Sequence, residues 1–247
     1  MIMTSRTTDG PLRSRSRSSR RPRRLAMSAL LSVGLCLGAL TATGSAQAVD
    51  GTVVTSTQSG GRTVSFTFDD GPDPTHTPRL LEVLRRHGVK ATFCLWGDHV
   101  RQYPHLVRQI AADGHRLCNH TMSHQDLGSW SQQQIRQNLE QTNALIRQAA
   151  PGAQITYFRA PYGSWGQSPQ VAASMGMQPL GWRLAINDWQ PPGTSELVRR
   201  ITQGVTPGAV VLMHDGGGDR SQTVSAVDQT IPQLRSQGYT FDQPAVR

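Results

Sequence analysis

The 247-residue chain carries 25 basic against 16 acidic side chains, a formal charge of +9, and a basic surface is ordinarily the footprint of nucleic-acid binding. Position excludes that partner. Eight arginines (Arg6, Arg13, Arg15, Arg17, Arg20, Arg21, Arg23, Arg24) and one acid, Asp9, lie before residue 25, leaving 17 basic against 15 acidic residues for all that follows.

In chain order, the arginine cluster is followed by an apolar run over 25–40 and by small residues ending in Ala46-Gln47-Ala48. These are the charged, apolar and cleavage regions of a secretory signal peptide over 1–48, with cleavage expected after Ala48. The apolar run is about 16 residues, short of the roughly 20 a spanning helix needs, and Gly34 and Gly38 dilute it. No membrane span is expected after cleavage, and the product is expected to be secreted or held at the cell wall. Ser19-Arg20-Arg21 hints at twin-arginine export, though Pro22 and Arg23 fit that pattern poorly, and Cys36 lacks the preceding small residues of a lipoprotein site. An exported chain meets an oxidising environment, so Cys94 and Cys118 are either paired or two buried small apolar residues; sequence does not give the Cα separation that decides between them.

Residues 49–61 are polar and rich in Thr, Ser and Gly, the composition of a short tail. From residue 62 to 247, strand-like runs (63–68, 89–95, 115–118, 155–158, 178–184, 209–213, 239–241) alternate with helical stretches such as 77–87, 104–112 and 131–149. Thr77-Pro78 offers a cap with proline at the first helical position, and Ser131 caps a run in which Ile135, Leu139, Thr142 and Ile146 keep helical spacing. Regular alternation predicts an α/β fold, a single-domain irregular (β/α) barrel of about seven parallel strands. Chemistry in such a barrel gathers at the C-terminal ends of the strands. Polar residues stand there repeatedly: Asp69-Asp70, His120 and His124, Arg159 to Gly163, Asp188-Trp189, and His214-Asp215.

Adjacent carboxylates repel unless a cation or a basic partner separates their roles. A glycosidase pair needs about 5 to 9 Å between its carboxyl groups, which Asp69 and Asp70 reach poorly because neighbours on one strand point apart. The other reading of Asp69-Asp70-Gly71-Pro72 is a turn with a capping carboxylate. His120 and His124 stand at i and i+4, a spacing that on one helical turn converges on a single divalent ion; a carboxylate would complete three ligands and leave a position open for water, as in catalytic zinc. His87, His99, His105 and His115 read as structural or surface residues.

The succession TFDDGP (67–72), HTMSH (120–124), RAPYG (159–163), DW (188–189) and LMH (212–214) resembles the polysaccharide deacetylases of carbohydrate esterase family four, the NodB-homology family, over about 62–239. The resemblance implies an irregular (β/α) barrel with Asp70, His120 and His124 as ligands of one divalent metal. Zinc suits such a site, and cobalt, nickel or manganese are chemically acceptable. It further implies Asp69 as general base, oriented by Arg159; the backbone N–H of Tyr162 as a donor to the oxyanion; and His214 as general acid, oriented by Asp188. Pro161, Tyr162, Trp189 and Leu212 are the implied substrate contacts, the last two as walls of the acetyl-methyl pocket.

Ala185 departs from the family, which often carries a second aspartate at that place. The expected reaction is hydrolysis of N-acetyl groups on N-acetylglucosamine units of chitin, chitooligosaccharide or peptidoglycan by a monomeric enzyme. An O-deacetylase of acetylated xylan needs the same residues, and a carbohydrate-binding cell-wall protein that has lost turnover is the alternative from another class. Trp96, Trp130, Trp165 and Trp182 either stack on sugar rings or pack in the core.

Overall fold

The computed structural model describes residues 49–247, and the expected signal peptide lies outside the described residues. The elements run β1 (Thr63–Asp69), α1 (His76–Arg86), β2 (Thr92–Leu95), α2 (Gly97–Gln102), α3 (Pro104–Ala112), β3 (Arg116–Asn119), α4 (Gln132–Ala149), β4 (Ile155–Phe158), a 3-10 turn (Pro161–Gly163), α5 (Ser168–Ser174), β5 (Gln178–Pro179), β6 (Leu184–Ala185), α6 (Thr194–Gly204), β7 (Ala209–His214), α7 (Ser221–Ser236) and β8 (Thr240–Phe241). Every strand pairing is parallel, in the order β5-β4-β3-β2-β1-β7-β6, and β8 pairs with the start of β1. The sheet curls into a half-barrel with helices outside it, as strand and helix alternation requires.

Side-chain alternation sorts the strands into two faces. Val64, Phe66 and Phe68 of β1 join Phe93, Leu117, Phe158, Val211 and Met213 in the large core under the helices. Cys94, Cys118, Tyr157 and Val210 form a smaller cluster with Val54 and Leu180 inside the curl. Each fully buried phenylalanine contributes roughly 1.5–3 kcal/mol, so the outer core supplies most of the stability while the inner row positions groups. Cys94 and Cys118 stand directly opposite each other on β2 and β3 and are joined by a disulfide.

Three sequence expectations are revised. Residues 178–184 do not form one strand but break into β5 and β6, because the carbonyls of Leu180 and Gly181 turn to accept from the Arg159 side chain rather than from a neighbouring strand. Thr77 does not cap α1: Asp73 Oδ1 accepts from the amides of Thr75 and His76, freeing the Thr77 hydroxyl to donate to Asp215 at 2.5 Å. The polar stretch 49–61 is held along the half-barrel rather than hanging from it. Val54 bridges Leu180, Ser56 bridges Ala209 and Thr57 bridges Pro244, so this segment crosses the gap between β5 and β7. Ser131 does cap α4, in a reciprocal box with Gln134.

Candidate active site

A cavity of about 530 Å³ opens at the C-terminal end of the half-barrel. Asp69, last in β1, continues the inward row of Ser65 and Thr67. Asp70 would point to the opposite face by simple alternation, but its φ of 70° ends the strand and swings its carboxylate back, so both acids line the cavity. Packing enforces this left-handed turn. The Nδ1–H of His99 donates to the Asp70 carbonyl at 2.7 Å, and the Trp96 amide donates to the Gly71 carbonyl at 3.0 Å. A Cβ on Gly71 would fall 2.6 Å from the Asp215 carboxyl carbon, and one on Gly217 2.7 Å from Asp70 Oδ2, so only glycine fits at either place.

His120 and His124 converge on Asp70, but not on a helical turn as the spacing suggests. The segment after β3 is an irregular turn in which Thr121 and His124 have φ of 66° and 56°. Both imidazole Nε2 atoms lie 3.4 Å from Asp70 Oδ1, and one ligand atom from each of the three residues lies within 4.8 Å of the others. The Nδ1–H of His120 donates to the Arg159 carbonyl at 2.8 Å, which fixes the tautomer and leaves the Nε2 lone pair facing the site. Asp70 Oδ1 is buried with no hydrogen-bond donor. An orphaned carboxylate oxygen between two imidazole nitrogens is the donor set of a divalent cation, so these residues fit the implied metal.

The charges follow from the crowding. Burial alone would raise the Asp70 pKa, but the neighbouring imidazole of His120, aided by those of His214 and His124, holds it down at about 2. Burial opposes protonation of His120, yet Asp69 and Asp70 raise its pKa. His124 is lowered, by burial first and by the His120 charge second.

Arg159, expected beside Asp69, is wholly buried; its Nη1 donates to Asp69 Oδ1 at 2.7 Å and to Thr67 Oγ1 at 2.9 Å. Its Nε and Nη2 donate to the Leu180 and Gly181 carbonyls, both at 3.0 Å. Asp69 Oδ1 is therefore fixed, and Oδ2 lies 3.7 Å from His120 Nε2 on the cavity side. Across the cavity, the Nδ1–H of His214 donates to Asp188 Oδ1 at 2.7 Å. Burial would lower the His214 pKa, but the hydrogen bond and charge of Asp188, with Asp69 and Asp70 beyond, raise it.

Tyr162, with φ of 59°, sets its ring 4.5 Å from that of His124 and stays 72% exposed at the mouth. Trp189 and Leu212 line the wall next to His214. Pro161 is buried and does not line the cavity; Ala160 does.

These residues gather as one site, and comparison with known proteins identifies its lineage. The polysaccharide deacetylase family profile matches residues 56–180. The chain belongs to the polysaccharide deacetylase family. It is 36% identical to a chitooligosaccharide deacetylase of Sinorhizobium fredii, over 73% of this chain and 89% of that protein. It is 35% identical to a peptidoglycan-N-acetylglucosamine deacetylase of Bacillus cereus, over 72% of this chain and 84% of that one. Among solved structures, a peptidoglycan N-acetylglucosamine deacetylase superposes with a TM-score of 0.72 at 31% identity, covering 76% of this chain and 89% of the other.

The four tryptophans that the sequence left open between sugar stacking and core divide two and two, and further residues join the site. Trp96 and Trp182 line the cavity, whereas Trp130 and Trp165 pack against the core. Gly217 and Arg220 also line it. Their place just after β7 was the available signal. Asp215 sits fully buried behind Asp70 and Gly71; burial first, then the charges of Asp70, Asp69 and Asp73, push its pKa up to about 7 against the opposing bond from Thr77.

Proposed function

We propose that the chain is a metal-dependent hydrolase that removes N-acetyl groups from N-acetylglucosamine units of chitin-type oligosaccharides or of peptidoglycan. The observation that carries this reading is the convergence of Asp70, His120 and His124 with Asp69 on one side of a single cavity and His214 on the other. Relatives named for both substrates support it.

Asp70, His120 and His124 would hold one divalent ion, zinc first and cobalt, nickel or manganese as alternatives. Such an ion, when bound, supplies Lewis-acid polarisation of the acetyl carbonyl and a more acidic water. Asp69 takes the proton from the attacking water at Oδ2, since Arg159 engages Oδ1. The Tyr162 backbone N–H donates to the oxyanion that forms as the water oxygen bonds to the acetyl carbon. His214, protonated, gives its Nε2 proton to the sugar nitrogen as the carbon–nitrogen bond breaks, so acetate and the free amine leave. Trp189 and Leu212 enclose the acetyl methyl group, and the buried Pro161 holds the Tyr162 turn rather than touching sugar. The enzyme acts as a monomer after export and loss of residues 1–48, so the N-terminus of the secreted protein reads from Val49.

Acetate release from chitooligosaccharide, peptidoglycan and acetylxylan, with and without a chelator, tests this function. Acetate from an amino-sugar substrate, lost on chelation and restored by zinc, is the expected result. Acetate from xylan alone replaces the substrate class, acetate unaffected by chelation overturns the metal, and no acetate from any substrate overturns the enzyme.

A further inference from the structure

Asp188 is the most enclosed member of the acid pair, with a side chain that is 0% exposed. A carboxylate buried so deeply needs its lone pairs occupied to keep one orientation. Oδ1 accepts from the ring of His214, and Oδ2 accepts from the His214 backbone amide at 2.9 Å. Both donors belong to the residue being positioned. The donor from outside the pair is Thr223, whose hydroxyl gives to Asp188 Oδ2 at 2.8 Å from the first turn of α7.

This hydroxyl donates outside its own helix, as that of Thr77 in the first turn of α1 does. Thr142, Thr202 and Ser225 donate to the carbonyl four residues earlier in their own helix, the default for a helical hydroxyl. Thr223 instead points off the end of α7 into the loop after β6, and it is only 2% exposed. Arg220, just before α7, reaches the Asp188 carbonyl at 3.4 Å and the Gly216 carbonyl at 2.8 Å, tying that loop to the one after β7. The N-terminal end of a 16-residue helix also favours negative charge beside its first turn.

We propose that Thr223 is a positioning residue for the acid: its hydroxyl holds the Asp188 carboxylate in the plane that aims the His214 ring into the cavity. The role rests on the proposed deacetylase reading and acts through Asp188 alone, since Thr223 does not line the cavity.

Thr223→Val keeps the shape and removes the hydroxyl, and Thr223→Ser keeps the hydroxyl and removes the methyl. With the zinc-loaded protein and a chitooligosaccharide, kcat of Thr223→Val falls about tenfold while KM stays within about twofold, and Thr223→Ser recovers to within about twofold of wild type. The Nδ1–H proton resonance of His214, followed by NMR in the same proteins, shifts in Thr223→Val and returns in Thr223→Ser. An unchanged kcat and resonance in Thr223→Val, a loss that appears equally in KM, or a loss that serine does not restore overturns the positioning role. A wild-type protein without turnover, but with the resonance shift present, overturns the deacetylase reading and leaves the positioning role standing.

Discussion

Arg159→Met is the most severe single test of the interior of this site. The guanidinium makes four hydrogen bonds, to Thr67 Oγ1, Asp69 Oδ1 and the carbonyls of Leu180 and Gly181. Methionine retains much of the apolar stem and none of the donors. Asp69, with a side chain 4% exposed, is left as a buried charge without its cation, and breaking one side of such a pair costs about 3–5 kcal/mol. The two orphaned carbonyls add to this, each by roughly 1–3 kcal/mol unless water enters. Together these come to at least about 5 kcal/mol, which rivals the whole stability of an ordinary domain. At about 2–4 °C per kcal/mol for a domain of this size, the midpoint falls by at least about 10 °C. Arg159→Lys keeps the charge, but a single ammonium cannot reach four acceptors held in a fork, so it falls between the two. Thermal melts followed by circular dichroism, on metal-stripped protein so that ligand binding does not mask the loss, measure this. A midpoint for Arg159→Met within about 2 °C of wild type would refute the reasoning.

The two neighbouring aspartates separate by assay. Asp70→Asn weakens zinc binding in titration calorimetry by more than about a hundredfold, beyond what loss of an outer hydrogen bond does, whereas Asp69→Asn binds zinc and loses about 10²–10⁴ in kcat. His214 has its pKa raised above 6.5, with the charge of Asp188 among the causes that overcome burial, so the acid form persists until pH climbs through that raised value. Activity declines on that alkaline limb, and Asp188→Asn moves the limb to lower pH in a kcat profile; an unmoved limb removes Asp188 from the acid. Asp215 rises from 3.8 to about 7 on folding. The folded state therefore holds a proton that the unfolded chain releases, so this contribution is complete below the unfolded value and lost as pH rises through about 7. In metal-stripped protein, denaturant unfolding shows stability falling over that window, by at most about 4 kcal/mol, and Asp215→Asn flattens the slope.

Much of this was legible in the residues because the fold forces it. Parallel strands joined by helices expose their C-terminal ends on one side, so polar residues ending apolar runs had to meet, and Asp69, His120, Arg159 and His214 do. What stayed hidden depends on backbone angles and on side chains that change partners. Alternation says that Asp69 and Asp70 point apart, and only the left-handed turn at Asp70 brings them together. The i, i+4 spacing of His120 and His124 suggests that they converge, and they do, but on an irregular turn rather than a helical one. The break between β5 and β6 arises from Arg159, a side chain reaching carbonyls 21 and 22 residues onward. No local pattern carries that. Thr223 and Asp215 are further cases, since a threonine in a helix and an acid after a strand look ordinary until their partners are placed.

The backbone itself shows where folding and chemistry compete. Among the described residues, the non-glycine positions with positive φ are Asp70, Thr121, His124, Tyr162 and Asn187. Each is a residue of the candidate site or next to one, and the left-handed region costs a residue with a Cβ about 1 kcal/mol or more. Five such positions set several kcal/mol against a domain stability of roughly 5–15 kcal/mol, so they persist only because the large core under the helices over-determines them. Thr121 is the clearest case: it is β-branched, wholly buried, and its Oγ1 has no hydrogen-bond partner, so intrinsic preference opposes its conformation on every count. Its amide donates to Asn119 Oδ1 at 2.9 Å, and Asn119 Nδ2 in turn donates to the Leu139 carbonyl and Asn143 Oδ1 of α4. That chain of buried bonds runs from the cavity through the turn to a helix of the outer core. The imidazoles of His120 and His124 converge on Asp70 because α4, through Asn119, holds the turn between them in a shape it would not otherwise adopt.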